Sequence, residues 1–216
     1  FFNVSGGVYS GETTSTLTAT GITSAMNNYK FRAVISGTCT PSATSNAANL
    51  TVDEKPEVVQ HPQNSTICED GSTFFRVNPG VTTAPTFVWE YSTDNGSNWN
   101  PVLADAVHSG LTNDTLLITG AISAMNNWQY RAVVSGTCAP PAISNVAILT
   151  INEKPEIAVQ PVDSAICEND NATFTVDAGG TTSPTYQWQV DPNTGTFSNV
   201  SGGFYAGGNT PVLNVV

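Results

Sequence analysis

The chain has 216 residues, 6 Lys and Arg against 17 Asp and Glu, and a formal net charge of −11 at pH 7. So few cations argue against a nucleic-acid partner, whose binding runs on phosphate counterion release, and against a polybasic membrane patch. No apolar stretch approaches the roughly 18 residues of a spanning helix, so no membrane insertion is expected.

Charged residues make up only 11% of the chain, while Thr alone occurs 29 times beside many Ser, Asn and Gly. That is strand and turn composition. Phe1-Phe2-Asn3 does not begin a signal peptide, and the chain reads as a window cut from a longer array. The segment from Gly21 to Pro56 returns from Gly120 to Pro155 without a gap, with 23 of 36 positions identical at a 99-residue offset. Cys68-Glu69, Val77 and Trp89 return at the same offset as Cys167-Glu168, Val176 and Trp188. The expected organisation is residues 1–56 as the C-terminal part of one repeat, 57–155 as a complete repeat, and 156–216 as the N-terminal part of a third.

Within the complete repeat, short alternating runs are separated by turn signals. Ser72–Val77 places Thr73, Phe75 and Val77 on one face, and Thr86–Tyr91 does the same for Phe87, Trp89 and Tyr91. Ser123–Asn127 has room for one helical turn. Strands are predicted again over Tyr130–Val134 and Ala147–Ile151. The fold class is all-β, with many short strands in a two-sheet sandwich.

These residues resemble the immunoglobulin-like sandwich. Trp89 follows Val77 at the spacing of the family's core tryptophan, and Tyr130-Arg131-Ala132 stands where Tyr-x-Cys falls, so Tyr130 resembles the tyrosine corner. Val77 and Ala132 replace the two core cysteines of antibody domains, which leaves apolar packing around Trp89 to hold the sheets together. The same resemblance puts Val176 and Trp188 in the core of the third repeat. More narrowly, VSGTC, the following SN-x-A-x-LT, the KP linker and IC-E resemble the tandem repeats of large secreted or cell-surface adhesins of Bacteroidetes type.

Four cysteines fall into two classes, Cys39 with Cys138 and Cys68 with Cys167. Paired placement in an acidic, Lys-poor chain suggests an oxidising compartment. On the sandwich plan, Cys138 lies near the tip of the last hairpin and Cys68 at the opposite end. Three states remain open: a staple between consecutive repeats, an intra-repeat Cys68–Cys138 bridge, or free thiols.

No constellation for catalysis stands out. His61 and His108 are replaced by Gln160 and by Tyr9 or Tyr205 in the other repeats, which is hard to reconcile with a general base or a metal ligand. Ser92–Trp99 resembles the Asp-box hairpin of sialidase propellers, itself a folding element. The linkers Val52–Glu57 and Ile151–Glu156 carry carboxylates close to the turn acids Glu69 and Asp70, or Glu168 and Asp170. No cofactor is expected, with calcium at these junctions as a weak possibility; the alternative is a solvated connector stiffened by Pro56 and Pro155. Thr115 and Ser164 sit in D-[ST]-apolar triplets similar to the O-glycosylation motif of secreted Bacteroidetes proteins.

Two functions from different classes follow. The first is a non-catalytic structural or adhesive array of an extracellular or cell-surface protein, whose partners are neighbouring repeats of the same chain and, beyond them, other cells. The second is a polysaccharide-binding accessory module, for which Tyr91, Trp99 and Trp128 are the candidate aromatics. A coplanar exposed pair of rings favours the second, and burial of all three favours the first.

Overall fold

A computed structural model describes residues 1–216. The complete repeat forms β1 (Ser65–Cys68), β2 (Ser72–Arg76), β3 (Thr86–Ser92), β4 (Asn100–Pro101), β5 (His108–Ser109), β6 (Thr115–Thr119), β7 (Gln129–Ser135), β8 (Ala142–Ile143) and β9 (Ala147–Asn152). The larger sheet runs β4-β3-β7-β9-β1, with β8 on the far half of β7, and the smaller runs β5-β6-β2. Every pairing is antiparallel except β9 with β1, where Asn152 lies opposite Cys68. Each strand of the first and third segments likewise pairs within its own segment. The fold is an all-β sandwich.

Strands β2, β3, β7 and β9 lie where the alternation predicts them, one residue shorter or longer at their ends, while the five-residue β6 lies outside the predicted runs. The Ser123–Met125 turn is a single 3₁₀ turn with Met125 buried. Two further features escape the alternation. Strand β1 carries only two partly buried positions, Ser65 and Ile67, and its order comes from pairing with β9. Strands β4, β5 and β8 are two residues long, too short for any period to register.

The core gathers fourteen buried side chains, all from the complete repeat. Phe75 from β2, Val77 just past its end, and Leu116 and Ile118 from β6 face Trp89 from β3, Tyr130, Ala132 and Val134 from β7, and Leu149 and Ile151 from β9. Ala132 sits directly opposite Trp89 in the β7–β3 register. A small side chain there leaves room for the indole, which is 1% exposed. Its Nε1–H donates to the Asn113 carbonyl at 3.0 Å; a buried donor left unpaired would cost on the order of 1–3 kcal/mol.

The third segment contributes counterparts of β2 to β6 and none of β7 to β9, so Val176 and Trp188 are half-buried. Trp188 still donates Nε1–H to a carbonyl, that of Thr210, at 2.8 Å. The tryptophan of this segment therefore makes the same bond to the connection ahead of the β6 counterpart as Trp89 makes to Asn113.

Replacing Trp89 with Ala is expected to cost about 3–5 kcal/mol, as for other large core aromatics. Urea unfolding followed through the complete repeat checks this. A loss under about 1 kcal/mol would mean that the two sheets are held together elsewhere.

Candidate functional site

The same joint appears twice, at the two linkers. At the first, Glu54 N–H donates to Thr83 Oγ1 at 2.8 Å and Glu57 N–H to Thr82 Oγ1 at 3.0 Å. At the second, Glu153 N–H donates to Thr182 Oγ1 at 2.8 Å and Glu156 N–H to Thr181 Oγ1 at 2.9 Å. The glutamates close the loop from the other side. Glu57 Oε1 accepts Val81 N–H at 3.0 Å, and Glu156 Oε1 accepts Gly180 N–H at 2.9 Å. Gly80 and Gly179 adopt positive φ of 57° and 54°, and a Cβ at either would stand 2.0 Å from the glutamate oxygen. Glycine is required at both for conformation and for space.

The linker also ties back to the repeat it leaves. Asn152 accepts Glu69 N–H at 2.9 Å, and Lys154 Nζ pairs with the Asp70 carboxylate. Hydrogen bonding to Asp70 holds the Lys154 ammonium above its ordinary pKa. On the following side, Cys138 Sγ lies 3.5 Å from the Asp53 carbonyl. The carboxylates of Glu57, Glu156 and Asp70 are thus engaged by main-chain N–H groups or by a lysine, and no three His, Cys, Asp or Glu side chains converge as ligands for calcium. All four cysteines are unpaired within the chain; Cys39, Cys68 and Cys167 are exposed and Cys138 is half-buried.

Several positions identical between repeats tie side chain to main chain. Asn27 and Asn126 accept Val52 N–H and Ile151 N–H at 3.0 and 2.9 Å. Ser45 and Ser144 each accept the N–H of the alanine opposite, Ala33 or Ala132, at 2.9 Å. These contacts set where β8 stops and how the final strand enters the linker. Sequence reasoning had no signal for them beyond the identity itself.

The aromatic candidates are engaged with the fold. Tyr91 and Trp128 stack on each other at 5.0 Å between centroids with 21° between planes, and both pack against the core. Trp99 lies under the Arg131 guanidinium at 4.1 Å, and Arg131 is held by Glu90 at 2.7 Å. No two of these rings are arranged as a coplanar exposed platform.

The Ser92–Trp99 hairpin turns on Asp94. Its carboxylate accepts Asn98 N–H at 2.8 Å, Asn98 Nδ2 at 2.6 Å and the Ser92 hydroxyl at 2.7 Å. These bonds, led by the Asn98 amide, pull its pKa from 3.8 down to about 2. Asp191 gathers Thr194 N–H and Gly195 N–H in the third repeat.

The two histidines serve separate places. His61 Nδ1 accepts Asn145 N–H at 3.0 Å. His108 is buried, with Nδ1 3.0 Å from both Asp105 oxygens and Nε2 3.1 Å from the Tyr130 hydroxyl. Asp105 stays below its ordinary pKa: burial raises it, but the His108 and Val107 amides and the His108 ring outweigh that. Burial pushes the Tyr130 hydroxyl well above its ordinary value. This corrects the tyrosine-corner expectation: Tyr130 is buried as that role requires, but its hydroxyl meets an imidazole instead of main chain. In the first repeat the equivalent pair is Tyr9 with Phe31, edge to face at 5.8 Å. A ring without a hydroxyl needs no imidazole, so the pair changes together. Asp105, His108 and Tyr130 thus form a hydrogen-bonded chain that ends on a buried core tyrosine.

Of the two glycosylation candidates, Thr115 lies in β6 with its hydroxyl on Asp114 Oδ1 at 2.9 Å, while Ser164 is exposed outside any strand.

The model for a domain of unknown function (DUF8696) matches residues 59–153. Roundabout homolog 1 of Rattus norvegicus is 28% identical over 145 residues, 67% of this chain and 8% of that protein. Its human counterpart matches equally, so the chain spans about 8% of the length of these relatives. A three-domain Ig structure of titin, I67–I69 in an E-to-A mutated variant, superposes with a TM-score of 0.60 at 14% identity, covering 98% of this chain and 72% of that one. The IG1 and IG2 domains of DIP-gamma superpose with a TM-score of 0.51 at 16% identity, covering 76% and 84%. The fold is therefore immunoglobulin-like. No helix is long and apolar enough to cross a membrane.

Two outcomes are expected. Tyr130→Phe leaves His108 Nε2 unpartnered and destabilises by about 1–3 kcal/mol. Adding His108→Tyr, which installs the Tyr9–Phe31 pairing, recovers part of the loss; strict additivity in a double-mutant cycle would contradict the coupling. For Asp94, the folded pKa lies below the unfolded one, so its contribution is present above about pH 3.8 and lost as pH falls toward 2. Urea midpoints between pH 4 and 2 should fall more steeply for the native chain than for Asp94→Asn.

Proposed function

We propose that the chain is part of a non-catalytic tandem array, a spacer or shaft in a large extracellular or cell-surface protein of the Bacteroidetes adhesin type. On this reading residues 1–56, 57–155 and 156–216 are a partial, a complete and a partial immunoglobulin-like repeat. One observation carries it. The threonine and glutamate contacts at 54–57 recur at 153–156 with matching distances, so each repeat is set on the next through the same main-chain bonds. A joint made this way propagates one orientation along a chain, as a solenoid or shaft requires. Similarity to multi-domain Ig structures supports the same reading.

Ring placement lends no comparable support to polysaccharide binding, since Tyr91, Trp99 and Trp128 spend their faces on one another, on Arg131 and on the core. Low cation content suits a surface that avoids sticking to anionic polymers. Neighbouring repeats are then the first partners, with other cells or surface polymers engaged by parts of the parent protein outside the repeat.

Immunogold microscopy of the source cells, with an antibody raised against residues 57–155, tests this. Label spaced along fibres or extended surface structures is expected. Label confined to soluble material that copurifies with a polysaccharide-degrading enzyme would overturn it in favour of an accessory module.

A further inference from the structure

The two linkers show one joint from opposite sides. Asp53 and Asn152 occupy equivalent positions, 99 residues apart. At the first linker the view is of the following repeat, whose Cys138 Sγ lies 3.5 Å from the Asp53 carbonyl oxygen. At the second the view is of the preceding repeat. There the Asn152 carbonyl oxygen accepts Glu69 N–H at 2.9 Å, and Cys68 lies directly across from Asn152 in the parallel pairing. Superposing the two views brings one oxygen into contact with a thiol from the following repeat and with the amide next to Cys68 of the preceding repeat.

We propose that consecutive repeats are joined by a disulfide between the Cys68-type cysteine of one repeat and the Cys138-type cysteine of the next. The proposal rests on the tandem reading above. Both cysteines thus border the same linker residue, one across a parallel strand pair about 4.8 Å wide and the other through its sulfur at 3.5 Å from the carbonyl oxygen, which is the neighbourhood a disulfide with about 4.4–6.8 Å between Cα atoms requires. The intra-repeat alternative does not fit. Cys68 is level with the end of β9 at Asn152, whereas Cys138 follows the opposite end of β7 beyond Ser135. The seven residues of β7 alone put about 20 Å between those ends.

Exposure agrees with the assignment. Cys138, which has a linker packed on it, is half-buried, whereas Cys39 of the same class is exposed, and Cys68 and Cys167 face solvent. Bridge formation takes two protons and two electrons from the pair of thiols and makes one Sγ–Sγ bond. The electrons pass to a disulfide-bearing oxidant, a small oxidised thiol or a protein disulfide, which leaves as two thiols.

The test lengthens the full chain at its C-terminus with a second copy of residues 120–155, which completes the third repeat and supplies a third Cys138-type thiol. In that chain with Cys39→Ser and Cys138→Ser, three cysteines remain: Cys68, Cys167 and the appended one. After refolding with oxidised glutathione, alkylation and peptide mapping should give one bridge, between the Cys68 peptide and the appended peptide, with Cys167 alkylated. A bridge to Cys167, or three alkylated thiols, would overturn the proposal.

The lengthened chain with every native cysteine guards against a folding failure of the variant. There the proposal leaves Cys39, Cys138 and Cys167 alkylated, whereas intra-repeat pairing would bridge Cys167 as well. Small-angle scattering of the same chain reads elongation independently of the thiols. An elongated particle without the bridge would refute the bridge alone, and a compact one would refute the array reading.

Discussion

The complete repeat depends on one buried indole. Trp89 is enclosed by both sheets, faces the small Ala132 across the β3–β7 register, and satisfies its only polar atom on the Asn113 carbonyl. Antibody domains hold the same place with a disulfide, and here Val77 and Ala132 leave that space to packing. The consequence is a core in which shape matters more than crosslinks. Leu116, Ile118, Phe75 and Leu149 belong to the same buried cluster as the indole.

From that core the chain reaches its joints through main-chain hydrogen bonds taken by small polar side chains. Asn126 fixes Ile151, Ser144 fixes Ala132, and Thr82 and Thr83 receive the linker. Threonine suits this role because its hydroxyl is short and β-branching leaves it few rotamers. A joint built this way needs few charges, which agrees with a chain that has only 11% of them. Four of the charged residues near the joints are bound in place. Glu57 and Glu156 close loops, and Lys154 ties the linker to Asp70.

The His108 and Tyr130 pair shows how a repeat drifts without changing role. Imidazole and phenol share a hydrogen bond in one repeat, and phenol meets phenyl edge to face in another. Both solutions leave no buried polar atom unpaired, the constraint that buried groups generally obey. His108 spends both ring nitrogens on Asp105 and on its neighbour in the core.

The 99-residue period, the two-sheet class, strands β2, β3, β7 and β9 and the burial of Trp89 were legible from the residues alone, because alternation and spacing are local quantities that a one-dimensional string carries. What the alternation could not show is equally physical. The parallel pairing of β1 with β9 joins segments some 80 residues apart, and no local pattern encodes a register across that distance. Tyr130 reads as a main-chain donor by position, yet an imidazole 22 residues upstream takes its hydroxyl. The threonine pairs at 82–83 and 181–182 look like ordinary turn residues until folding sets them beside a linker. Sequence determined which side chains must be buried and how often the unit returns; only the tertiary structure decided which backbone groups meet at the joint, since that depends on where two distant strand ends arrive together.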